Sequence, residues 1–188
     1  MDVALEEARL AAALDAKDGM AHAVLATMLI ASGDWETAIV EGRIALELSP
    51  NSAFVMGILC RVLSDGGYYE EAIDHARHAL RASPHDPLAW AWTAFLATAQ
   101  FKSRNFGAAL ATMRQVVRLR PGHAVAYLYI AASLGHLGCR AEGREALERA
   151  RRRFPEHFLR YQQKPPYMRA EDWALLVDGM RLAAGEPT

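Results

Sequence analysis

Between Gly19 and Pro84 one pattern is written twice. Ala38, Ala45 and Pro50 recur as Ala72, Ala79 and Pro84, each 34 residues on, and Leu25, Leu29 and Gly33 recur as Leu59, Leu63 and Gly67. Glu36-Thr37-Ala38-Ile39 is answered by Glu70-Glu71-Ala72-Ile73. The spacing has a physical cause. Two antiparallel helices need small residues where they cross closely, here Ala38/Ala72 and Ala45/Ala79 against Ala26/Cys60. They need a glycine to turn between them and a proline to stop the second helix. One such pair cannot bury its own apolar face, so the pattern works only as a stacked array.

A fixed period of this length built from two helical halves resembles the tetratricopeptide repeat. The resemblance covers residues 1–158 and implies an all-α fold: a right-handed superhelical α-solenoid of antiparallel helix pairs, with about ten helices and a C-terminal capping helix. Residues 1–17 read as an N-terminal half-repeat or cap helix, with Ala4 and Ala11 in the small-residue slots of a second helix. That helix is either a simple cap or the start of a piece cut from something longer. Residues 18–156 hold four repeat units, and residues 157–188 a linker and capping helix.

The third unit breaks the period. Pro84 to Pro121 spans 37 residues, and the three extra residues precede Ala109. The expectation is a first helix, about Leu88 to Lys102, one turn longer than its neighbours. Trp90, Trp92, Phe95, Phe101 and Phe106 all fall in this unit. They either fill the core made by the longer helix, or Trp90 or Trp92 faces the groove as a ligand anchor. The fourth unit returns to 34, with Tyr127, Ile130, Ala131 and Leu134 in its first helix and Gly143 and Ala150 in the small slots of its second.

Beyond Pro155 the repeat stops. A short helix is expected over Phe158 to Gln163, a break at Lys164-Pro165-Pro166, and a last amphipathic helix over Ala170 to Ala184 ended by Gly185. That helix should dock through Trp173, Leu176, Val177 and Met180 as a cap on the fourth repeat. In the alternatives it enters the groove, or swaps into a second molecule as self-association. The ending Pro166-Tyr167-Met168-Arg169-Ala170-Glu171-Asp172, followed by Leu176-Val177-Asp178-Gly179-Met180-Arg181-Leu182-Ala183-Ala184-Gly185, is similar to the tail of bacterial class III adenylate/guanylate cyclases that carry repeats behind the catalytic domain. The likeness implies a regulatory or interaction module and gives no residue a catalytic role.

The first helices of such an array line a concave face, the usual ligand site in the family. Projected onto this chain, the protein-binding groove takes Met20, Ala23 and Thr27 from the first repeat and Phe54, Gly57 and Arg61 from the second. Ala94, Thr98 and Phe101 follow from the third, and Val125, Leu128 and Ala132 from the fourth. Family members that hold an acidic peptide C-terminus use a lysine- and asparagine-rich clamp. Ala23, Thr27, Gly57 and Arg61 stand at those positions, so that clamp is absent, and the groove suits an amphipathic helix or apolar peptide.

Other chemistry is weakly signalled. His75 and His78 lie three apart with His85 nearby, a surface set or a metal site; the reading adopted is no metal and no cofactor. Arg144, Arg149, Arg151, Arg152 and Arg153 are interleaved with Glu142, Glu145 and Glu148, a solvated face or a seat for phosphate or an acidic partner. A net charge of −1 gives no field that would draw nucleic acid or a membrane surface. No run of about 18 apolar residues and no signal pattern is present, so a cytoplasmic location is expected. No nucleophile–base arrangement stands out, which points away from an enzyme. The competing reading is a small-ligand-binding or enzymatic protein that uses the aromatic third unit as a pocket.

Overall fold

The computed structural model describes residues 2–161 and 163–186; Gln162, inside the expected short helix, lies outside them. Eleven helices and no strands are found among the described residues. They are α1 (Asp2–Leu14), α2 (Gly19–Ser32), α3 (Trp35–Leu48), α4 (Ala53–Gly66), α5 (Tyr69–Ala82), α6 (Ala89–Lys102), α7 (Phe106–Leu119), α8 (Ala124–His136), α9 (Arg140–Arg153), α10 (Pro155–Arg160) and α11 (Ala170–Ala184). The chain divides into two compact units inside α6, after Phe95.

The helix ends follow the local chemistry. Asp18 accepts from the Met20 amide at 2.8 Å, Asp34 from Thr37 at 3.2 Å, Ser52 from Val55 at 3.3 Å and Asn105 from Ala108 at 3.3 Å. Each satisfies a donor that the first helical turn leaves free. Gly33, Gly67 and Gly138 sit in the left-handed region at φ 89°, 96° and 74°, where a Cβ is costly.

In the first unit Ala38, Ala45, Ala72 and Ala79 are fully buried, as the period requires. They let α2 and α3, and α4 and α5, approach closely around Leu25, Leu29, Leu59 and Leu63. The N-terminal helix obeys a different face. Ala4 and Ala11 are exposed, and Ala8 and Ala12 are buried against α2. The reason lies in which helix covers which slot. Ala38 and Ala45 are covered by the first helix of their own repeat, whereas Gly42, the counterpart of Ala8, faces Leu59 and Val62 of the next one. Among the described residues α1 has only a following helix.

The third unit corrects the expected long helix. α6 has 14 residues, the same as α2 and α4. Six residues separate α5 from α6 where four separate α3 from α4, and three separate α6 from α7 where two separate α2 from α3. The insertion therefore sits in turns. His85-Asp86-Pro87-Leu88 is closed by the Leu88 amide donating to Asp86 Oδ1 at 2.7 Å. Arg104 takes the left-handed position at φ 64° that glycine holds elsewhere. A side chain there costs about 1–2 kcal/mol, against about 0.5–1 kcal/mol of extra unfolded-state freedom for glycine. Arg104→Gly should thus stabilise the chain by about 0.5–1 kcal/mol, read as a rise of about 1–3 °C in the melting temperature; a fall would show that Arg104 makes a compensating contact.

In the second unit Met113, Val116, Tyr127, Leu128, Leu134, Leu147 and Leu176 are buried. α10 starts at Pro155 and ends at Arg160, earlier than the expected Phe158 to Gln163, because Pro155 opens a helix readily at its first turn. α11 keeps its expected bounds and packs on α8 and α9. Of the four expected anchors only Leu176 is fully buried; Trp173, Val177 and Met180 are half-buried, and Leu175, Gly179 and Ala183 do more of the docking.

Candidate functional site

Half of the projected groove positions lie at a surface and half inside the packing. In the first unit Met20 is 44% exposed, and Val24, one turn on and absent from the projection, is 41% exposed. Thr27 is half-buried, its hydroxyl donating to the Ala23 carbonyl at 3.0 Å, the usual way a helical threonine satisfies itself. Phe54 is half-buried and meets Trp92 edge to face at 5.9 Å. The Arg61 guanidinium lies 5.8 Å from the Phe95 ring centroid, with Nε 3.8 Å from Asp65. These side chains make an apolar strip with one held cation.

Ala23, Gly57 and Ala94 are corrections, since all three are buried. A Cβ on Gly57 would overlap the Trp92 indole, which lies flat across that point of α4. Trp92 is 2% exposed, so it is a core residue and no ligand anchor; Trp90 is half-buried. Its role in the core comes from the glycine beneath it, not from extra helix length. The third-unit projection is also displaced by one residue. With the insertion in turns, Met56, Leu59, Cys60 and Leu63 map onto Trp92, Phe95, Leu96 and Ala99. Gly57 and Arg61 then map onto Thr93 and Ala97, both buried.

In the second unit Thr98 and Val125 remain half-buried, whereas Phe101, Leu128 and Ala132 are buried. Ala132 is covered by the C-terminal helix: a Cβ on Gly179 would stand 2.6 Å from the Ala132 carbonyl oxygen. Phe101 is enclosed by Tyr129 at 5.0 Å and Phe106 at 5.3 Å. His136 stacks on Phe106 at 4.2 Å, and its Nε2 donates to the Leu175 carbonyl at 2.8 Å. Because a carbonyl only accepts, that contact fixes a proton on Nε2. Beside it Lys102 Nζ lies 3.4 Å from Asp172 Oδ2, with both side chains about 97–98% buried from solvent.

The second unit also carries an outer cleft of ≈330 Å³ between α7 and α9, floored by Tyr127, Ile130 and Leu134 of α8. Arg114 and Glu142 bridge it at 3.1 Å, and Arg149 and Arg153 bracket the Tyr127 ring at 5.8 and 5.7 Å. Arg149, Arg151 and Arg153 of the arginine-rich helix are thus engaged with aromatic faces or a carboxylate. His75 lies 3.9 Å from Glu71, and burial pulls its imidazole below the ordinary range despite that carboxylate. Among the described residues no group of three or more His, Cys, Asp or Glu could hold a metal ion, and no helix is long and apolar enough to cross a membrane.

No family model matches the chain, and no curated protein matches it in sequence. Solved structures do. The crystal structure of YrrB, described as a TPR protein with an unusual peptide-binding site, aligns over 95% of this chain and 93% of its own with a TM-score of 0.61 at 21% identity. The fold is that of the tetratricopeptide repeat. PilF of Pseudomonas aeruginosa aligns over 95% of this chain and 77% of its own, with a TM-score of 0.65 at 18% identity. MamA aligns over 90% and 86%, with a TM-score of 0.62 at 19% identity. At these identities the likeness establishes the tetratricopeptide architecture and leaves the partner to be argued from the residues.

Sequence reasoning missed the residues that hold α11 against the helices before it. Lys102 and Asp172 stand about seventy residues apart with no periodic relation, and His136 reads as an ordinary helix-terminal histidine. The one usable signal was Gly135 and Gly179, two glycines inside helices, where each is destabilising unless a backbone must pass close by.

Proposed function

We propose that this chain is a non-catalytic protein-interaction module that holds a peptide, or one face of an amphipathic helix, on the accessible first-helix face of its first unit. The observation that carries the reading is the strip of Met20, Val24, Thr27 and Phe54 with Arg61 at its side. Exposed Met20 and Val24 on α2, with half-buried Phe54 on the adjacent α4, offer anchors to an apolar ligand face. Arg61, braced by Phe95, gives a planar donor fork for a carboxylate on the ligand. In the second unit the corresponding surface is taken up in part by α11 against Ala132. The solved TPR structure with a peptide-binding site supports the class of ligand. A net charge of −1 supports a protein partner over nucleic acid or an anionic membrane, and the absence of a long apolar helix among the described residues agrees with a cytoplasmic setting. A regulatory place beside a bacterial cyclase-type domain rests on the tail motif alone, and Gly179 of that motif is a helix-crossing residue here. The motif therefore supports an array-ending role more directly than a signalling one.

A panel of fluorescein-labelled amphipathic helical peptides, each with an apolar stripe flanked by acidic residues, tests the proposal by fluorescence polarisation. Saturable binding is expected, weakened about tenfold or more by Arg61→Glu and by Met20→Asp, as for central interface residues. Both positions are accessible, so circular dichroism should be unchanged. No binding across the panel, or binding indifferent to both substitutions, would overturn the reading.

A further inference from the structure

The two ends of the described chain carry complementary halves of one repeat. In α8 the residues that face the second helix of their own repeat are Tyr127, Ile130, Ala131 and Leu134. Trp173, Leu176, Val177 and Met180 follow them at one constant interval of 46 residues, and the same 4-7-8-11 spacing holds for Met56, Leu59, Cys60 and Leu63 in α4. α11 is by this register the first helix of a fifth repeat, delayed by the twelve residues that α10 and its linker add. Its second-helix seat is partly open. A cleft of ≈380 Å³ is lined by Trp173, Val177 and Met180 of α11, with Leu147 and Arg151 of α9 and Phe158 of α10.

α1 is the converse. It stands one period before α3, and Ala4 and Ala11 occupy the slots that Ala38 and Ala45 fill at zero exposure. In α1 those slots face solvent, beside Leu10 at 59% and Leu14 at 78% exposure. Nothing among the described residues covers that face. We infer that α1 of one copy seats in the α9/α11 cleft of another, so that each joint completes a fifth repeat head to tail. This goes beyond the peptide-binding reading, which uses other residues.

Three features fit that occupant. The seat is narrowed by Phe158 and Tyr161, and α1 brings alanines to the crossing, where close approach is needed. In the first repeat His22, at the position of Trp173, contacts Glu41 of the second helix at 2.6 Å. The counterpart of Glu41 in α1 is Glu7, an acceptor that would face the Trp173 indole N–H. Glu6 and Glu7 also meet a cleft flanked by Arg151 and Arg181. Arg151 also lies 4.8 Å from the Phe158 ring centroid, while the ion pairs Arg9–Glu6, Arg151–Glu148 and Arg181–Glu186 are exposed, contribute little and exchange partners readily. Such an interface is heterologous: two different patches meet, so the assembly grows as an open chain or closes as a ring.

Sedimentation velocity on the full chain tests this with two blocked variants. Ala11→Arg blocks the head and Met180→Arg the tail. The wild-type chain should show a mass that rises with concentration, and each variant alone should remain a monomer. An equimolar mixture should form dimers and nothing larger, because one sound head and one sound tail remain. If Met180→Arg loses helical content, Arg181→Glu replaces it as the tail block, since Arg181 is exposed. A wild-type chain that stays monomeric at every concentration reached would overturn the inference. So would dimers formed by either variant alone, which mean a symmetric interface.

Discussion

Asp172→Ala should cost about 3–5 kcal/mol, because it removes the carboxylate that faces the enclosed Lys102 ammonium. The pair joins the last turn of α6 to the first turn of α11, and both side chains are almost fully enclosed. A buried ion pair is a poor source of net stability, since desolvation of both charges offsets most of their attraction. Losing one partner is a different matter: the desolvation cost of the survivor stays while the attraction goes. Lys102→Met alone should be similarly damaging. The double replacement Lys102→Met with Asp172→Leu removes both costs and should return stability to near the wild-type value or above it. Urea denaturation of the four species forms the test cycle. Equal losses in the single and double variants would show that Lys102 reaches solvent once Asp172 is gone.

That cycle concerns a contact which no reading of the residues in order could find, while much of the remaining fold was legible. The 34-residue recurrence of Ala38, Ala45 and Pro50 reports directly on helix crossings and stops, so the helix pairs follow from it, while the α11 bounds follow from its apolar side and Gly185. The place of the three-residue insertion was not legible for a concrete reason. The expected Leu88 to Lys102 differs from α6 by one residue at its start, but neither His85-Asp86-Pro87-Leu88 nor Arg104 shows in sequence that it lengthens a turn.

The groove was half legible. Periodicity places a residue on a helix face, but it does not say how large the neighbour across that face is. Gly57 vanishes under Trp92, and Ala132 under α11, because small residues invite the closest approach of what lies opposite. The same property that makes a position look open in a linear projection closes it in the folded chain. Met20, Phe54 and Arg61 stay at least partly accessible. At the start of the chain, Ala4 and Ala11 fit the small-residue slots, yet the slot is buried only where the first helix of the repeat lies against it.

The substitution Gly179→Ala, one methyl group at the crossing of α8 and α11, should have an effect nearly as large as Asp172→Ala. An added Cβ at Gly179 would lie 2.6 Å from the Ala132 carbonyl oxygen and 2.8 Å from both the Ala132 Cβ and His136 Cδ2. A Cβ on Gly135 would overlap the Gly179 carbonyl and stand 2.8 Å from the Ala183 amide nitrogen. For the Gly179→Ala methyl the Ala132 carbonyl is backbone, which no side-chain rotation relieves, so the helices must separate. Separation lengthens the His136 to Leu175 hydrogen bond and draws Asp172 away from Lys102, adding polar costs to steric ones. Overpacking in a rigid site typically costs about 1–3 kcal/mol, and the upper end applies here. Gly107→Ala is the matching control, since its Cβ meets nothing within 4 Å on α7. There the better helix propensity should raise stability by about 0.5–1 kcal/mol. Hydrogen exchange resolved by element distinguishes the outcomes. In the Gly179→Ala chain the amides of α11 should lose protection while those of α2 to α5 keep theirs. Unchanged protection in α11 would mean that the two helices slide past one another without parting, and that the glycine pair does not set their distance.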